Sequence, residues 1–276
     1  MKADIQKLER IANVLRRNVV QMIGVGHRGH YGGALSSAEI MAALYFYKMR
    51  HRPVDPKWED RDRFVLSKGH SCPILYAALA ESGYFDKKHL NTLKDLGSIL
   101  QGHPDVLKTP GIEANTGSLG QGLSIGLGMA LGLRLDKKDS KVYVILGDGE
   151  MGEGQIWEAG IVAAHYKLNN LVAFLDHNKI QAMGFTKDRI NVGSLAEKWK
   201  AFGWHTVEID GNNMEEVVKV LDDADRVADK PVMVIAHTLK GKGISFTENT
   251  PAFHNNLMTQ EQFEQALFEL NQKIGD

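Results

Sequence analysis

The chain has 276 residues, 33 lysines and arginines against 34 aspartates and glutamates, and one cysteine. The near-neutral charge gives no electrostatic reason to expect nucleic acid or an anionic membrane as a partner, and a single cysteine excludes an intrachain disulfide framework. No apolar run reaches the roughly 18 residues that a membrane helix needs, and the N-terminus mixes both charge signs without an apolar signal core. We therefore expect a cytoplasmic protein, long enough to bury one sizeable core.

The first half of the chain begins with a predicted helix. Residues 5–22 carry apolar side chains at spacings of three and four, which is typical of an amphipathic helix. A glycine-rich loop with two histidines follows, and Ser36 with Glu39 has the spacing of a capping box that opens a second helix. The next expected elements are a short strand over 61–67 and helices over 73–82 and 86–100.

The second half alternates apolar strands with helices. Predicted strands cover 141–146, 170–177, 205–210 and 230–238. A glycine-rich turn runs into a helix within 115–135, further helices cover 152–168 and 213–225, another begins after Ser194, and the last extends from Thr259 to Ile274. Ser194 with Glu197, and Thr259 with Gln262, have the capping spacing before two of these helices. Because most of the strands are continuous apolar runs, they predict an α/β fold with a mostly parallel central sheet and helices on both faces. No repeat or linker is visible, so we expect one domain over residues 1–276.

Polar residues follow two of the predicted strands. Asp148, between two glycines, follows the strand over 141–146, and Asn178 and Ile180 follow the next strand. Ligands of parallel sheets bind beyond the carboxyl ends of the strands. Carboxylate, amide and carbonyl oxygens suit Mg²⁺ or Ca²⁺, and glycine N–H groups at a helix start suit a phosphate. A divalent ion with a diphosphate is the hypothesis, and a simple Gly-Asp-Gly turn is the alternative.

The spacing and five further motifs resemble a known family. GDGEMGEG, with 30 positions from Asp148 to Asn178, resembles the signature of thiamine-diphosphate enzymes. GHYGGALSSAEIMAALYF, LSKGHS, QGHP and NTGSLGQGLSIGLGMAL are similar to transketolase motifs in transketolase order, and KGKGISFTENTPAFHNN resembles the end of the same region. The resemblance covers nearly the whole chain. It implies a thiamine-diphosphate-binding fold that corresponds to the N-terminal subunit of a split transketolase, with the pyrimidine-binding and C-terminal domains on a separate chain.

The resemblance also implies roles for individual residues. The metal, Mg²⁺ or Ca²⁺, would be held by the Asp148 carboxylate, the Asn178 side-chain oxygen and the Ile180 carbonyl. Glu153 matches a glutamate that the family places at the dimer interface, where it helps couple two active sites; an acid favoured by the helix dipole is an alternative, and the two are compatible. The full set implied to contact thiamine diphosphate is His70, Gly117, Ser118, Leu119, Gly149, Glu153, Asn178, Lys240 and His254.

Four histidines match the active-site histidines of the family: His30, His70, His103 and His254. Imidazole suits sugar chemistry because it can take and return hydroxyl protons near pH 7. The resemblance implies that His70 and His254 contact the diphosphate, and that His30, His103 and His254 face the substrate hydroxyls. His27 competes with His30 for the first position, and the GHYGG motif favours His30.

The implied function is a transketolase of the pentose phosphate pathway, which moves a two-carbon ketol unit from a ketose phosphate to an aldose phosphate. It would be active only with the partner chain, two of each chain forming a heterotetramer. The α subunit of a 2-oxo acid dehydrogenase and a deoxyxylulose-phosphate synthase share the GDG…N core, and a non-catalytic cofactor-binding module is a further alternative. The QGHP, SLGQG and AFH stretches favour transketolase. Relatives that act on branched or sulfonated sugars would share these motifs, so the sugars remain open.

Overall fold

The structure, a computed structural model, describes residues 3–275 of the chain. Helices and strands alternate along most of it. In chain order they are α1 (Ile5–Ile23), α2 (Tyr31–Ser36), α3 (Ala38–Ala43), β1 (Arg63–Leu66), α4 (Cys72–Ser82), α5 (Gln121–Leu135), β2 (Val142–Gly147), α6 (Gly154–His165), β3 (Leu171–His177), β4 (Ile180–Gln181), β5 (Gly184–Phe185), α7 (Thr186–Arg189), α8 (Leu195–Ala201), β6 (His205–Asp210), α9 (Met214–Ala224), β7 (Val232–His237) and α10 (Gln260–Ile274).

The central sheet of the described residues has five strands in the order β1-β2-β3-β7-β6, and every neighbouring pair is parallel. The predicted parallel α/β sheet is therefore confirmed. Gly147 of β2 lies opposite Asp176 of β3 in the register. Because parallel strands end at the same edge, the loops that follow β2 and β3 leave the sheet side by side.

The two faces of the sheet belong to two hydrophobic cores. Phe174 of β3 packs into the core formed with α1, α3, α4, α9 and α10, whereas its neighbour Leu175 packs into the core formed with α5, α6 and α8. Both side chains are completely buried, which stabilises the fold by about 1.5–3 kcal/mol for each large apolar residue. The sheet is thus covered by helices on both faces, as predicted. None of the helices within residues 3–275 is long and apolar enough to cross a membrane.

The first and last helices begin and pack as their sequences predict. The predicted apolar stripe of α1 is buried at Leu8, Leu15 and Val19. At the start of α10, the Gln262 N–H donates to the Thr259 hydroxyl at 3.2 Å, and the Thr259 N–H donates to the Gln262 side chain at 3.1 Å. This reciprocal pair satisfies two N–H groups that a helix start otherwise leaves without partners.

The predicted capping box at Ser36 and Glu39 is wrong. Ser36 is the last residue of α2, and its hydroxyl donates to the Asp176 carboxylate at 2.7 Å. Glu39 forms a buried ion pair with Arg16, whose guanidinium donates to both carboxylate oxygens. Both side chains are buried beside charged groups, and those contacts replace the local helix cap.

The predicted helix over 86–100 is also wrong beyond its first turns. A short 3₁₀ stretch covers Lys87–Thr92, and the chain then turns. Lys94 has a φ of 67° and Gly97 a φ of 82°, and both values lie outside the right-handed helical region. The Lys94 N–H donates to the Leu100 carbonyl at 2.8 Å, which closes this loop on itself.

Candidate active site

A cavity of about 440 Å³ lies at the carboxyl ends of the sheet strands. A polar residue that lines the cavity follows each of four strands: Lys68 follows β1, Asp148 follows β2, Asn178 follows β3 and Lys240 follows β7. The residues predicted from the sequence that line this cavity are His30, His70, His103, Gly117, Leu119, Asp148, Gly149, Asn178, Ile180, Lys240 and His254. Segments far apart in the sequence therefore meet in one place.

Three of the four predicted histidines form a cluster. His30 immediately precedes α2, His70 lies in the turn after β1, and His254 lies in the turn Pro251–His254. The ring centroids of His30 and His70 are 4.9 Å apart, and each lies 5.4 Å from the His254 ring. His27 is exposed and is not among the cavity-lining residues, so the geometry favours His30 over His27.

Burial keeps these three rings neutral. Burial, with smaller contributions from the nearby cations and histidines, lowers the pKa of His30 to about 4, of His70 to about 2 and of His254 to about 3. The Lys240 ammonium donates to His254 Nδ1 at 3.0 Å, which requires an unprotonated nitrogen there and puts the ring proton on Nε2. Neutral imidazoles can each accept one proton and donate another.

His103 lies at the mouth of the cavity. It comes from the loop after the 3₁₀ stretch, and a Cβ added to Gly117 would lie 3.2 Å from its ring. Its side chain is partly open to solvent. The burial of the rest of the ring, followed by the Lys94 charge, lowers the pKa of His103. The Lys94 charge also lowers the pKa of His30, so this lysine adds positive potential at the mouth.

Another part of the cavity lining carries oxygen donors. Asp148, Asn178 and Ile180 are 8%, 5% and 1% exposed. Asp148 accepts hydrogen bonds from the N–H groups of Gly149, at 2.7 Å, and Lys179. The Ile180 carbonyl accepts a hydrogen bond from the Lys240 ammonium, so this oxygen already faces a cation.

These donors suit a hard divalent cation. Burial and the neighbouring Asp176 charge raise the pKa of Asp148 to about 7, and a divalent cation beside the carboxylate would offset both effects. Within residues 3–275 no three His, Cys, Asp or Glu side chains are grouped to hold a metal. A cation at Asp148 would therefore depend on the Asn178 amide and the Ile180 carbonyl, which are ligand types that Mg²⁺ and Ca²⁺ use.

The cavity also has features that suit a diphosphate. A Cβ added to Gly149 would lie 2.9 Å from the Gln181 Cβ, so only glycine keeps the backbone this close to the β4 strand. The Gly149 N–H donates to Asp148 Oδ1, and it reaches another acceptor only if that carboxylate turns away. Two ammonium groups on side chains only 2% exposed, Lys68 and Lys240, add positive charge.

The lining residues that sequence reasoning did not assign to the site include two charged ones, Lys68 and Glu150. Glu150 is 1% exposed and accepts hydrogen bonds from Gly120 N–H at 2.7 Å and Gly147 N–H at 3.1 Å, so it ties two glycine loops together. Burial raises its pKa. Lys68 lies in the LSKGHS motif and Glu150 in the GDGE motif, so the positions that follow β1 and β2 carried the signal that could have identified them.

Two residues of the predicted cofactor set lie outside the cavity lining. Ser118 is exposed between the two lining residues Gly117 and Leu119. Glu153 is exposed at the position that precedes α6, and its side chain makes no capping hydrogen bond. Its place at the helix N-terminus agrees with the dipole explanation.

Comparison with known proteins identifies the family. Residues 7–273 match the family described as "Transketolase, thiamine diphosphate binding domain". The chain belongs to this transketolase family. It is 47% identical over 266 residues to the 6-deoxy-6-sulfo-D-fructose transketolase subunit SqwG of Clostridium sp. (strain MSTE9), which covers 96% of this chain and 97% of that protein. It is 43% identical to one of the subunits of the apulose-4-phosphate transketolase of Phocaeicola vulgatus, covering 98% of this chain and 96% of that protein.

The fold agrees with solved transketolases. The transketolase of Campylobacter jejuni subsp. jejuni NCTC 11168 superimposes with a TM-score of 0.90 at 31% identity, over 100% of this chain and 43% of that chain. The chain therefore spans less than half of the solved transketolase but nearly all of the relatives named as subunits. The predicted family, the thiamine-diphosphate-binding fold and the assignment as the N-terminal subunit of a transketolase are confirmed.

Proposed function

We propose that this chain is the cofactor-binding subunit of a two-chain transketolase. It moves a two-carbon ketol unit from a ketose phosphate to an aldose phosphate, with thiamine diphosphate and Mg²⁺. The observation that carries the proposal is a cavity lined both by a cluster of three neutral histidines and by the buried oxygen donors Asp148, Asn178 and Ile180. Residues 1–276 act as one diphosphate-binding domain.

The wall of oxygen donors holds the metal and the diphosphate. Asp148, Asn178 and Ile180 hold Mg²⁺, and Ca²⁺ can take its place because both ions prefer oxygen ligands. Lys240, with His70, His254 and the backbone at Gly117–Leu119 and Gly149, contacts the diphosphate. When bound, thiamine diphosphate supplies the carbon nucleophile that carries the two-carbon unit.

The histidines handle the substrate protons. The His30 ring is neutral, so it can accept a hydroxyl proton when a carbon–carbon bond breaks and return it when a new bond forms. The neutral His254 ring, whose Nδ1 accepts from Lys240, can donate a hydrogen bond from Nε2 to a substrate oxygen. His103, at the exposed mouth, faces the hydroxyls of the incoming sugar. The partial burial of His30 and His254 strengthens their hydrogen bonds to the sugar because less water competes for them.

The remaining parts of the active site come from a second chain. In the proposal, a pyrimidine-domain partner supplies the acid that activates the cofactor, and two copies of each chain form a heterotetramer in which Glu153 lies at an interface. The relatives named as subunits support a separate partner. The proposed location is the cytoplasm, and the proposed pathway is the pentose phosphate pathway.

The sugars of two relatives widen the choice of donors. These relatives are named for 6-deoxy-6-sulfo-D-fructose and apulose 4-phosphate, and they match this chain over nearly its full length. Both sugars are therefore candidate donors for this chain beside xylulose 5-phosphate.

A ketol-transfer assay tests the proposal. The chain is incubated with Mg²⁺, thiamine diphosphate, ribose 5-phosphate and each candidate donor, alone and with a pyrimidine-domain chain. We expect turnover only in the mixture. Turnover by the chain alone would contradict the need for a partner, and release of CO₂ from pyruvate by the mixture would favour a 2-oxo acid enzyme instead.

A further inference from the structure

Asp176 is a buried carboxylate next to the proposed metal ligands. It is the second-last residue of β3, it is 0% exposed, and its side chain does not line the cavity. Four side chains donate hydrogen bonds to it: Ser36 at 2.7 Å, Asn178 at 3.0 Å, Lys68 and Thr238. These donors come from α2, from the loops after β1 and β3, and from the residue after β7.

The contact with Asn178 determines which way its amide faces. An ionised carboxylate can only accept hydrogen bonds, whereas an asparagine amide has a donor end and an acceptor end. The Lys68 ammonium contacts the same Asp176 oxygen that Asn178 approaches, which keeps that oxygen an acceptor. Asn178 must therefore direct Nδ2 toward Asp176, and its Oδ1 faces the other way, 3.2 Å from the Ile180 N–H.

We infer that Asp176 is a positioning residue for the metal: it holds the Asn178 amide with its oxygen toward the cation. The inference rests on the metal site of the proposed function and adds a residue that does not touch the cation. Without this contact, the amide can rotate and present an N–H to the metal, which repels it. Partners that orient metal ligands in this way change metal affinity by about 10–100-fold when they are replaced.

An exchange of the two residues tests the inference. Asp176→Asn keeps the size of the side chain but lets it donate to Asn178 Oδ1, so the amide can turn over. In the double variant Asp176→Asn with Asn178→Asp, the new amide can donate to the new carboxylate, and the second carboxylate oxygen still faces the metal. The double variant also keeps one negative charge near Lys68. Ser36→Ala is the matched control, because it removes a different hydrogen bond to the same Asp176 oxygen.

The measurement is the Kd of Mn²⁺, obtained from the electron paramagnetic resonance signal of free Mn²⁺, for the full chain with thiamine diphosphate. For Asp176→Asn we expect a rise of about tenfold or more, and for the double variant a recovery toward the unchanged chain. Ser36→Ala should stay near the unchanged value. Circular dichroism on each variant establishes that the fold is intact.

Each outcome decides the inference. Unchanged affinity in Asp176→Asn would overturn it, and so would a loss that the double variant does not recover, because the role of Asp176 would then be general stability. If Asp176→Asn does not fold, the double variant is compared with Asn178→Asp alone, in which two carboxylates meet. Equal affinity in that pair would also overturn the inference. If the unchanged chain binds no Mn²⁺, the proposed metal site itself fails.

Discussion

Replacing His70 with glutamine should make the stability of this chain less sensitive to acid. Burial lowers the pKa of His70 to about 2, from an ordinary value of 6.5. Below pH 6.5 the unfolded chain therefore binds a proton at this position that the folded chain does not. The free energy of unfolding must fall as the pH drops below 6.5, and it continues to fall until the folded pKa is reached.

The magnitude follows from the size of the shift. Each unit of pH between the unfolded and folded pKa values costs about 1.4 kcal/mol, so lowering the pH from 6.5 to 5 costs about 2 kcal/mol at His70. Asp148 acts in the opposite direction, because burial raises its pKa to about 7 and its protonation favours the folded state. The prediction is therefore stated as the difference in pH dependence between the unchanged chain and His70→Gln. Asp148 is present in both, so its contribution cancels.

Urea unfolding monitored by tryptophan fluorescence, at pH 7 and pH 5, measures this difference. The free energy of unfolding should fall less in His70→Gln than in the unchanged chain, by about 2 kcal/mol between the two pH values. His165→Gln, on the exposed surface of α6, is the control and should behave like the unchanged chain. An equal pH dependence in the chain with and without His70 would refute the burial of a neutral imidazole at this position.

Three further predictions concern packing, thiol chemistry and the division of roles. Gly69→Ala should lower the free energy of unfolding by more than about 1 kcal/mol in urea melts, because its Cβ would lie 2.6 Å from the Thr116 backbone; Gly128→Ala, with open space in α5, should raise it by about 0.5–1 kcal/mol. Cys72 should resist iodoacetamide at pH 8 until urea unfolds the chain, since burial raises its pKa to about 12; rapid labelling of the folded chain would contradict this. Asp148→Ala should abolish Mg²⁺-dependent cofactor binding in titrations, whereas His103→Ala should keep binding and lower kcat; equal losses of affinity would contradict the assigned roles.

The elements that were predicted correctly are those whose pattern is local. The apolar stripe of α1 and the Thr259–Gln262 capping box depend on spacings of three and four residues, which a single helix satisfies by itself. The continuous apolar strands are also a local pattern: a run of apolar side chains points to both faces of a sheet, so it indicated a sheet buried on both faces. Where the local pattern was misleading, at Ser36, a distant charged partner had replaced the local hydrogen bond.

The sequence by itself determined the fold class, the family and the identity of most residues that line the cavity, because glycines, carboxylates and histidines follow the strands in a specific spacing. Only the tertiary structure decided the order of the strands and the distances across the site. The cluster of His30, His70 and His254 brings His254 together with residues more than 180 positions before it, and the hydrogen bonds of Asp176 join four separate elements. Such contacts arise when strands and helices pack together, and no local spacing in the chain encodes them.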